Sequence, residues 1–229
     1  MEKSEIVYSI TNAAPNYKCT NESIEAILLG MDVKPEDNIL CIMGSGQQGL
    51  AMAGEGANVT LIERSKSQAD YFSRLFSFLS DEKNQNELCR DILVEISRAY
   101  KSPKSYFSDL KKIADIRKNL FRINNPGQTD MFEAKKGISG YNKVYLSNAL
   151  TIGEMYYPRS LSVFKDFGGR FKEGTLFYAT RRFTESDDEI KPPFYIEKTL
   201  TEIARELERS SWDPRVIIKN ENYKTVGSL

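Results

Sequence analysis

Three groups of residues in this chain have the types and the spacing to do chemistry. The first is Gly44-Ser45-Gly46-Gln47-Gln48-Gly49, which follows the apolar run Ile39 to Met43. The second is Glu63, an acid that ends the next apolar run, Asn58 to Ile62. The third is Ser147-Asn148, at the end of the buried-type strand "KVYLSNAL", with "GEMYYPR" shortly after it. Glycine directly after a strand lets the backbone turn sharply and lets a ligand approach closer than a Cβ would permit. An acid at the end of the adjacent strand, about twenty residues on, is placed to accept both hydroxyls of a ribose. Strand, glycine turn, helix, strand and acid, in that order, predict a nucleoside site. Gln47 and Gln48 read as the solvated first turn of the helix, although such long amides could also grip a ligand's tail.

Composition narrows the chemistry further. The 229 residues contain no histidine. Histidine triads, histidine bases and histidine metal ligands are therefore excluded, and catalysis must rest on carboxylates, Tyr, Lys, Cys or positioning alone. Lys and Arg number 32 and so do Asp and Glu, a balance that argues against a general polyanion binder. A small-molecule substrate is expected, with no nucleic-acid partner. Lys111-Lys112 with Arg117-Lys118 reads as the solvated side of a helix. Cys19, Cys41 and Cys89 have neither metal nor framework spacing and read as reduced thiols of a cytoplasmic protein, with no metal site. Met1 to Pro15 lacks a signal-peptide layout, and no apolar run approaches bilayer length, so no membrane span is expected.

The elements that must hold these residues follow from periodicity. A helix capped by Thr20 or Asn21 runs through "ESIEAILL", and the polar turn "VKPEDN" leads into a strand near Ile39. Further strands are predicted near Val59, Val144, Leu176 and Val216. Ser65 caps an amphipathic helix carrying Phe72, Leu75 and Leu79. Two more helical patterns lie between Lys83 and Phe121, divided at Pro103, and "RINNPGQTD" reads as a loop. "KPPFY" introduces the helix "IEKTLTEIARELERS", and Arg215 to Leu229 reads as a hairpin turning at Asn220-Glu221-Asn222. Strands alternating with helices predict an α/β fold: a doubly wound, mostly parallel sheet with helices on both faces and a C-terminal antiparallel hairpin. One domain over residues 1–229 is expected, with a helical insertion around 83–121.

"GSGQQG" formally matches the dinucleotide fingerprint G-x-G-x-x-G. However, a capped helix and a polar turn precede the first strand, where dinucleotide domains more often begin directly with it. No stretch remains for a separate substrate domain. The residues "KPEDNILCIMGSGQQGLAMAGEGANVTLIERSKSQ", with the later "NKVYLSNAL", instead resemble the class I S-adenosylmethionine-dependent methyltransferases. The resemblance is good over Lys34 to Gln68 and generic from Lys143 onward. It implies a Rossmann-like fold, S-adenosyl-L-methionine as cofactor and methyl transfer to a small-molecule acceptor. The cofactor-binding residues it implies are Gly44, Ser45, Gly46, Gln48, Glu63, Arg64, Asp130, Ser147 and Asn148. Of these, Gly44 and Gly46 would approach the methionine part and Glu63 the ribose, with Asp130 a candidate adenine contact. Glu154, Tyr156 and Tyr157 are the catalytic candidates, on an acceptor-side loop. The family's usual D-x-G-x-G is here "CIMGSG", and the region of the third strand reads as helices. The same strings are also similar to the aminocarboxypropyl transferases of betaine-lipid synthesis, which would donate the amino-acid arm of the same cofactor. A domain that binds the cofactor without catalysis is a third reading.

Overall fold

Alternation along the strands decides the architecture. In β1 (Asn38–Ile42) the odd residues Ile39 and Cys41 belong to one apolar cluster and Leu40 to another, and all three are buried. The same split recurs in β4 (Lys143–Ser147), where Tyr145 joins the first cluster and Val144 and Leu146 the second. Successive side chains of a strand point to opposite faces, so a strand buried on both must be covered on both. The structure, a computed structural model, describes residues 2–13, 15–98, 101–124, 128–133, 138–149, 161–181, 190, 192–208 and 212–220.

The remaining strands are β2 (Asn58–Ile62), β3 (Ile123–Asn124), β5 (Leu176–Arg181), β6 (Phe194–Ile196) and β7 (Asp213–Lys219). They form one sheet in the order β3-β2-β1-β4-β5-β7-β6. β3, β2, β1, β4 and β5 pair in parallel, and β7 runs antiparallel between β5 and β6. The doubly wound α/β sheet with an antiparallel C-terminal pair is thus present. The second arm expected beyond Asn220 falls outside the described residues.

The first face carries most of the helices: α1 (Lys3–Thr11), α2 (Ile24–Gly30), α3 (Gln47–Gly54), α4 (Lys66–Ser80), α5 (Asn86–Ile96), α6 (Lys101–Phe107) and α7 (Leu110–Lys118). The second face is covered by α8 (Leu161–Gly168) and by aromatic rings. Phe164, Phe171 and Phe194 meet Phe177 edge-on, with centroids 5.3–5.9 Å apart. Offset and edge-on contacts of this kind are the favoured aromatic geometry. A final helix, α9 (Lys198–Leu207), packs Ala204 into the first cluster.

Several boundaries differ from the sequence reading. Ser23, not Thr20 or Asn21, caps α2, its hydroxyl accepting the Ala26 N–H. α1 has no signature in the sequence, because only Ile6 and Ile10 are buried on it, too short a stripe to show a period. Pro103 sits inside the first turn of α6, where its missing N–H costs nothing, and the break falls after Phe107. "RINNPGQTD" begins with the two-residue strand β3, and "KPPFY" ends in β6. Both are short edge strands whose partners lie far off in sequence.

Candidate active site

Chain direction across the sheet reverses between β1 and β4, because β1 leads outward to β2 and β3 while β4 leads the other way to β5. At such a switch point the carboxyl ends of the strands diverge and leave a crevice. A cavity of about 600 Å³ opens there. Ile42, Gly44 and Ser45 line it from β1, and Ile62, Glu63 and Arg64 from β2. Tyr145, Ser147 and Asn148 line it from β4, Gln48 from α3 and Asp130 from the stretch after β3.

The two glycines of the turn have different reasons to be glycine. Both have left-handed backbones, φ +48° at Gly44 and +79° at Gly46. A Cβ on Gly46 would lie 2.0 Å from the Phe72 ring, so that position is set by packing against α4. A Cβ on Gly44 would find nothing nearer than Gln48 Nε2 at 3.9 Å. Gly44 therefore presents bare backbone to the cavity, whereas Gly46 is not in the cavity wall. The sequence reading assigned both to the ligand; the structure gives that geometry to Gly44 alone.

Glu63 stands at the end of β2 with Oε1 accepting the Ser65 N–H at 2.8 Å. Burial pushes its pKa above the usual carboxylate range, and the N–H groups of Ser65, Arg64 and Gly44 only partly offset this. The stretch after β3 is stitched to it. Glu63 bridges to Gln128, Thr129 N–H donates to the Glu63 carbonyl at 2.9 Å, and Gln128 Nε2 donates to the Arg64 carbonyl at 2.6 Å. These bonds bring Asp130 to the cavity, where its Oδ1 accepts the Phe132 N–H at 2.9 Å.

A third wall comes from the segment Asn16 to Asn21, which local periodicity does not single out. Gln68 bonds both the N–H and the carbonyl of Tyr17, at 3.0 and 2.7 Å. The Tyr71 hydroxyl donates to the Lys18 carbonyl, and Gln47 Oε1 accepts the Thr20 N–H at 3.0 Å. Gln47 Nε2 in turn donates to Ser97 Oγ at 2.7 Å. Gln47 and Gln48 are both buried, which corrects the expectation of a solvated helical turn. Gln47 holds the wall, and only Gln48 faces the cavity, its Nε2 donating to the Tyr145 hydroxyl at 3.3 Å.

Behind the β4 side of the wall lies a carboxylate that the sequence reading missed. Glu22 is 1% exposed. Its Oε2 accepts the Tyr145 hydroxyl at 2.6 Å, and its Oε1 accepts Ser147 Oγ at 2.5 Å and Thr180 Oγ1 at 3.2 Å. Ser147 reaches it from a left-handed backbone, φ +50°, at an irregularity in the β4–β5 register. Backbone strain of that kind, about 1–3 kcal/mol, persists only where surroundings enforce it and clusters at functional sites. Cys19 also touches the cavity, but burial pushes its pKa to about 11, so its thiol stays protonated and poorly nucleophilic.

Of the nine predicted binding residues, Gly44, Ser45, Gln48, Glu63, Arg64, Asp130, Ser147 and Asn148 converge on this cavity and Gly46 does not. The catalytic candidates Glu154, Tyr156 and Tyr157 lie outside the described residues. No helix among the described residues is long and apolar enough to cross a membrane.

No protein-family model and no curated protein matches the sequence. Solved structures do resemble this chain. The rRNA methyltransferase aviRa from Streptomyces viridochromogenes aligns over 96% of this chain and 94% of its own, at 12% identity and a TM-score of 0.54. TrmN from Thermus thermophilus aligns over 93% of this chain and 53% of its own, at 13% identity and a TM-score of 0.48. A coclaurine N-methyltransferase bound to N-methylheliamine and S-adenosylhomocysteine aligns over 69% of this chain, at 12% identity and a TM-score of 0.42. This chain spans about a third of the coclaurine enzyme and about half of TrmN. The aviRa match, nearly end to end on both chains, shows that this chain shares the fold of that structure.

Proposed function

We propose that this chain binds S-adenosylmethionine at the β1–β4 switch point and transfers its methyl group to a small-molecule acceptor. One observation carries the reading. Gly44 opens bare backbone to a cavity whose next strand ends in Glu63, the pairing that a nucleoside with a charged tail requires.

The residues present fit this cofactor. The Glu63 carboxylate borders the cavity and, beside the backbone N–H groups of Ser65, Arg64 and Gly44, keeps acceptor capacity for a ribose hydroxyl. Asp130 follows Gln128 and Thr129, whose side-chain amide and N–H donate to the Arg64 and Glu63 carbonyls, and it lines the cavity where it can take the exocyclic amine of an adenine. Gly44 and Gln48 border the part left for the amino-acid tail. At about 600 Å³, the cavity falls within the range of about 300–1,000 Å³ typical of small-molecule sites.

When bound, the cofactor supplies an activated methyl group on a sulfonium. What remains for the protein is alignment of the acceptor, which can be worth roughly 7–11 kcal/mol. That division of labour suits a chain without histidine. Glu154, Tyr156 and Tyr157 follow Asn148 closely in sequence and are our candidates for the acceptor side. The fold neighbour aviRa is an rRNA methyltransferase. The balance of 32 basic and 32 acidic residues in this chain favours a small acceptor over nucleic acid.

Product analysis tests the reading. Enzyme-dependent S-adenosylhomocysteine, formed from S-adenosylmethionine with a panel of small acceptors, is the expected result. Methylthioadenosine instead would mean that the amino-acid arm leaves. Binding without any product would leave a non-catalytic cofactor domain.

A further inference from the structure

Glu22 is a buried acid to which no described residue supplies a counter-charge. Three hydroxyls donate to it, from Tyr145, Ser147 and Thr180. Among the described residues no Lys or Arg contacts it. The other titratable groups around it carry no positive charge either: Cys41 on β1, Tyr145 on β4, Tyr178 on β5 and Glu208 after α9. Removing a carboxylate from water is costly unless a cation and hydrogen bonds compensate it. Here the hydrogen bonds are present, and no cation comes from the described residues.

The position of that charge is informative. Tyr145 and Ser147, whose hydroxyls solvate it, both line the cavity. The Glu22 carboxylate thus lies one hydroxyl behind the cavity wall, on the β4 side, away from Glu63 on β2. Gln48 donates its amide to the same Tyr145 hydroxyl, so that hydroxyl is fixed with its proton toward Glu22.

We infer that Glu22 supplies the counter-charge for a cationic ligand and gives this cavity a preference for a sulfonium over the uncharged thioether left after transfer. The inference rests on the proposed cofactor. The buried carboxylate attracts the cation through a water-poor wall, and the attraction is lost once the group has been transferred. Glu22 therefore favours substrate capture and product release without touching the reacting atoms, as a positioning charge.

Titration calorimetry near pH 7 with S-adenosylmethionine and S-adenosylhomocysteine tests this on the wild-type chain, Glu22→Gln and Glu22→Asp. The ratio of the two dissociation constants should shift against S-adenosylmethionine on the order of tenfold in Glu22→Gln, the effect of one charge at short range in a protein interior. It should stay near wild type in Glu22→Asp, which keeps the charge. A purely structural role would weaken both ligands equally, and an unchanged ratio in a folded Glu22→Gln protein overturns the inference. Should Glu22→Gln not fold, the wild type carries the test alone. Burial raises the Glu22 pKa, so the ratio should fall as the pH is lowered and the carboxylate takes up a proton, and a flat ratio overturns the inference. If the wild type binds neither ligand, the cofactor reading itself fails.

Discussion

Gln68 closes on the backbone of Tyr17, 51 residues earlier in the chain, with both ends of its amide: the oxygen accepts the Tyr17 N–H at 3.0 Å and the nitrogen donates to the Tyr17 carbonyl at 2.7 Å. The side chain imitates a neighbouring strand. It supplies both backbone bonds to an irregular segment that forms one wall of the cavity.

Replacing Gln68 by Leu should therefore loosen that wall as well as the core. Two backbone groups of Tyr17 lose their side-chain partners, at about 0.5–1.5 kcal/mol each. The expected outcome is a lower melting temperature and a weaker affinity for S-adenosylhomocysteine. Amide exchange of Tyr17 and its neighbours should rise by more than that of β1 or β4. Uniform exchange across the fold would show that Gln68 acts only through global stability.

The two turn glycines should separate in their effects. Gly46→Ala puts a Cβ into the Phe72 ring in a left-handed backbone, and should cost about 2–5 kcal/mol of stability from the two causes together. Gly44→Ala meets open space and should cost only the backbone term, about 1–2 kcal/mol, while weakening ligand binding. Thermal melts and calorimetry on the pair check this. Equal melting temperatures would contradict the assignment of Gly46 to packing.

Glu63→Ala should weaken the nucleoside site, because hydrogen bonds to a charged acceptor contribute about 1.5–3 kcal/mol each. The same acid sets a pH dependence. Burial raises its pKa, so it picks up a proton at a pH where an exposed glutamate would still be charged, and it then stops accepting from one hydroxyl. Affinity for adenosine should decline as pH falls through that raised value, and the decline should vanish in Glu63→Ala.

A further prediction concerns the amino ends of the strands. Lys143 Nζ lies 2.6 Å from Asp37 Oδ2, with both side chains nearly buried. Burial alone would raise the Asp37 pKa, but hydrogen bonds from Lys143, Asn142 and the Lys34 N–H outweigh it and hold it below the usual value. A carboxylate with a depressed folded pKa contributes stability above its unfolded pKa, about 3.9, and that contribution is lost as pH falls through the folded value. Lys143→Met leaves Asp37 buried and unpaired, and should cost about 3–5 kcal/mol near neutrality. Urea unfolding across a pH series should show the mutational penalty shrinking in acid.

What the sequence determined by itself was whatever short-range physics decides. The strand at Ile39, the turn at Gly44, the Ser65 cap and the acid at Glu63 are each a matter of a few neighbouring residues, and all stand where local pattern puts them. The doubly wound class followed, because alternation of strands and helices leaves few ways to bury both faces of a sheet. Tertiary structure decided the rest. Glu22 reads as one residue of a helical run, yet its carboxylate is claimed by Tyr145 and Ser147, 123 and 125 residues away. Gln47 and Gln48 read as solvent-facing amides until the segment Asn16 to Asn21 folds over them and gives Gln47 a backbone to bond. β3 has two residues and too little pattern to announce itself, and it exists because β2 offers an unpaired edge. Side chains that satisfy distant backbone or bury an acid among hydroxyls carry no periodicity, so only the folded chain shows what they are for.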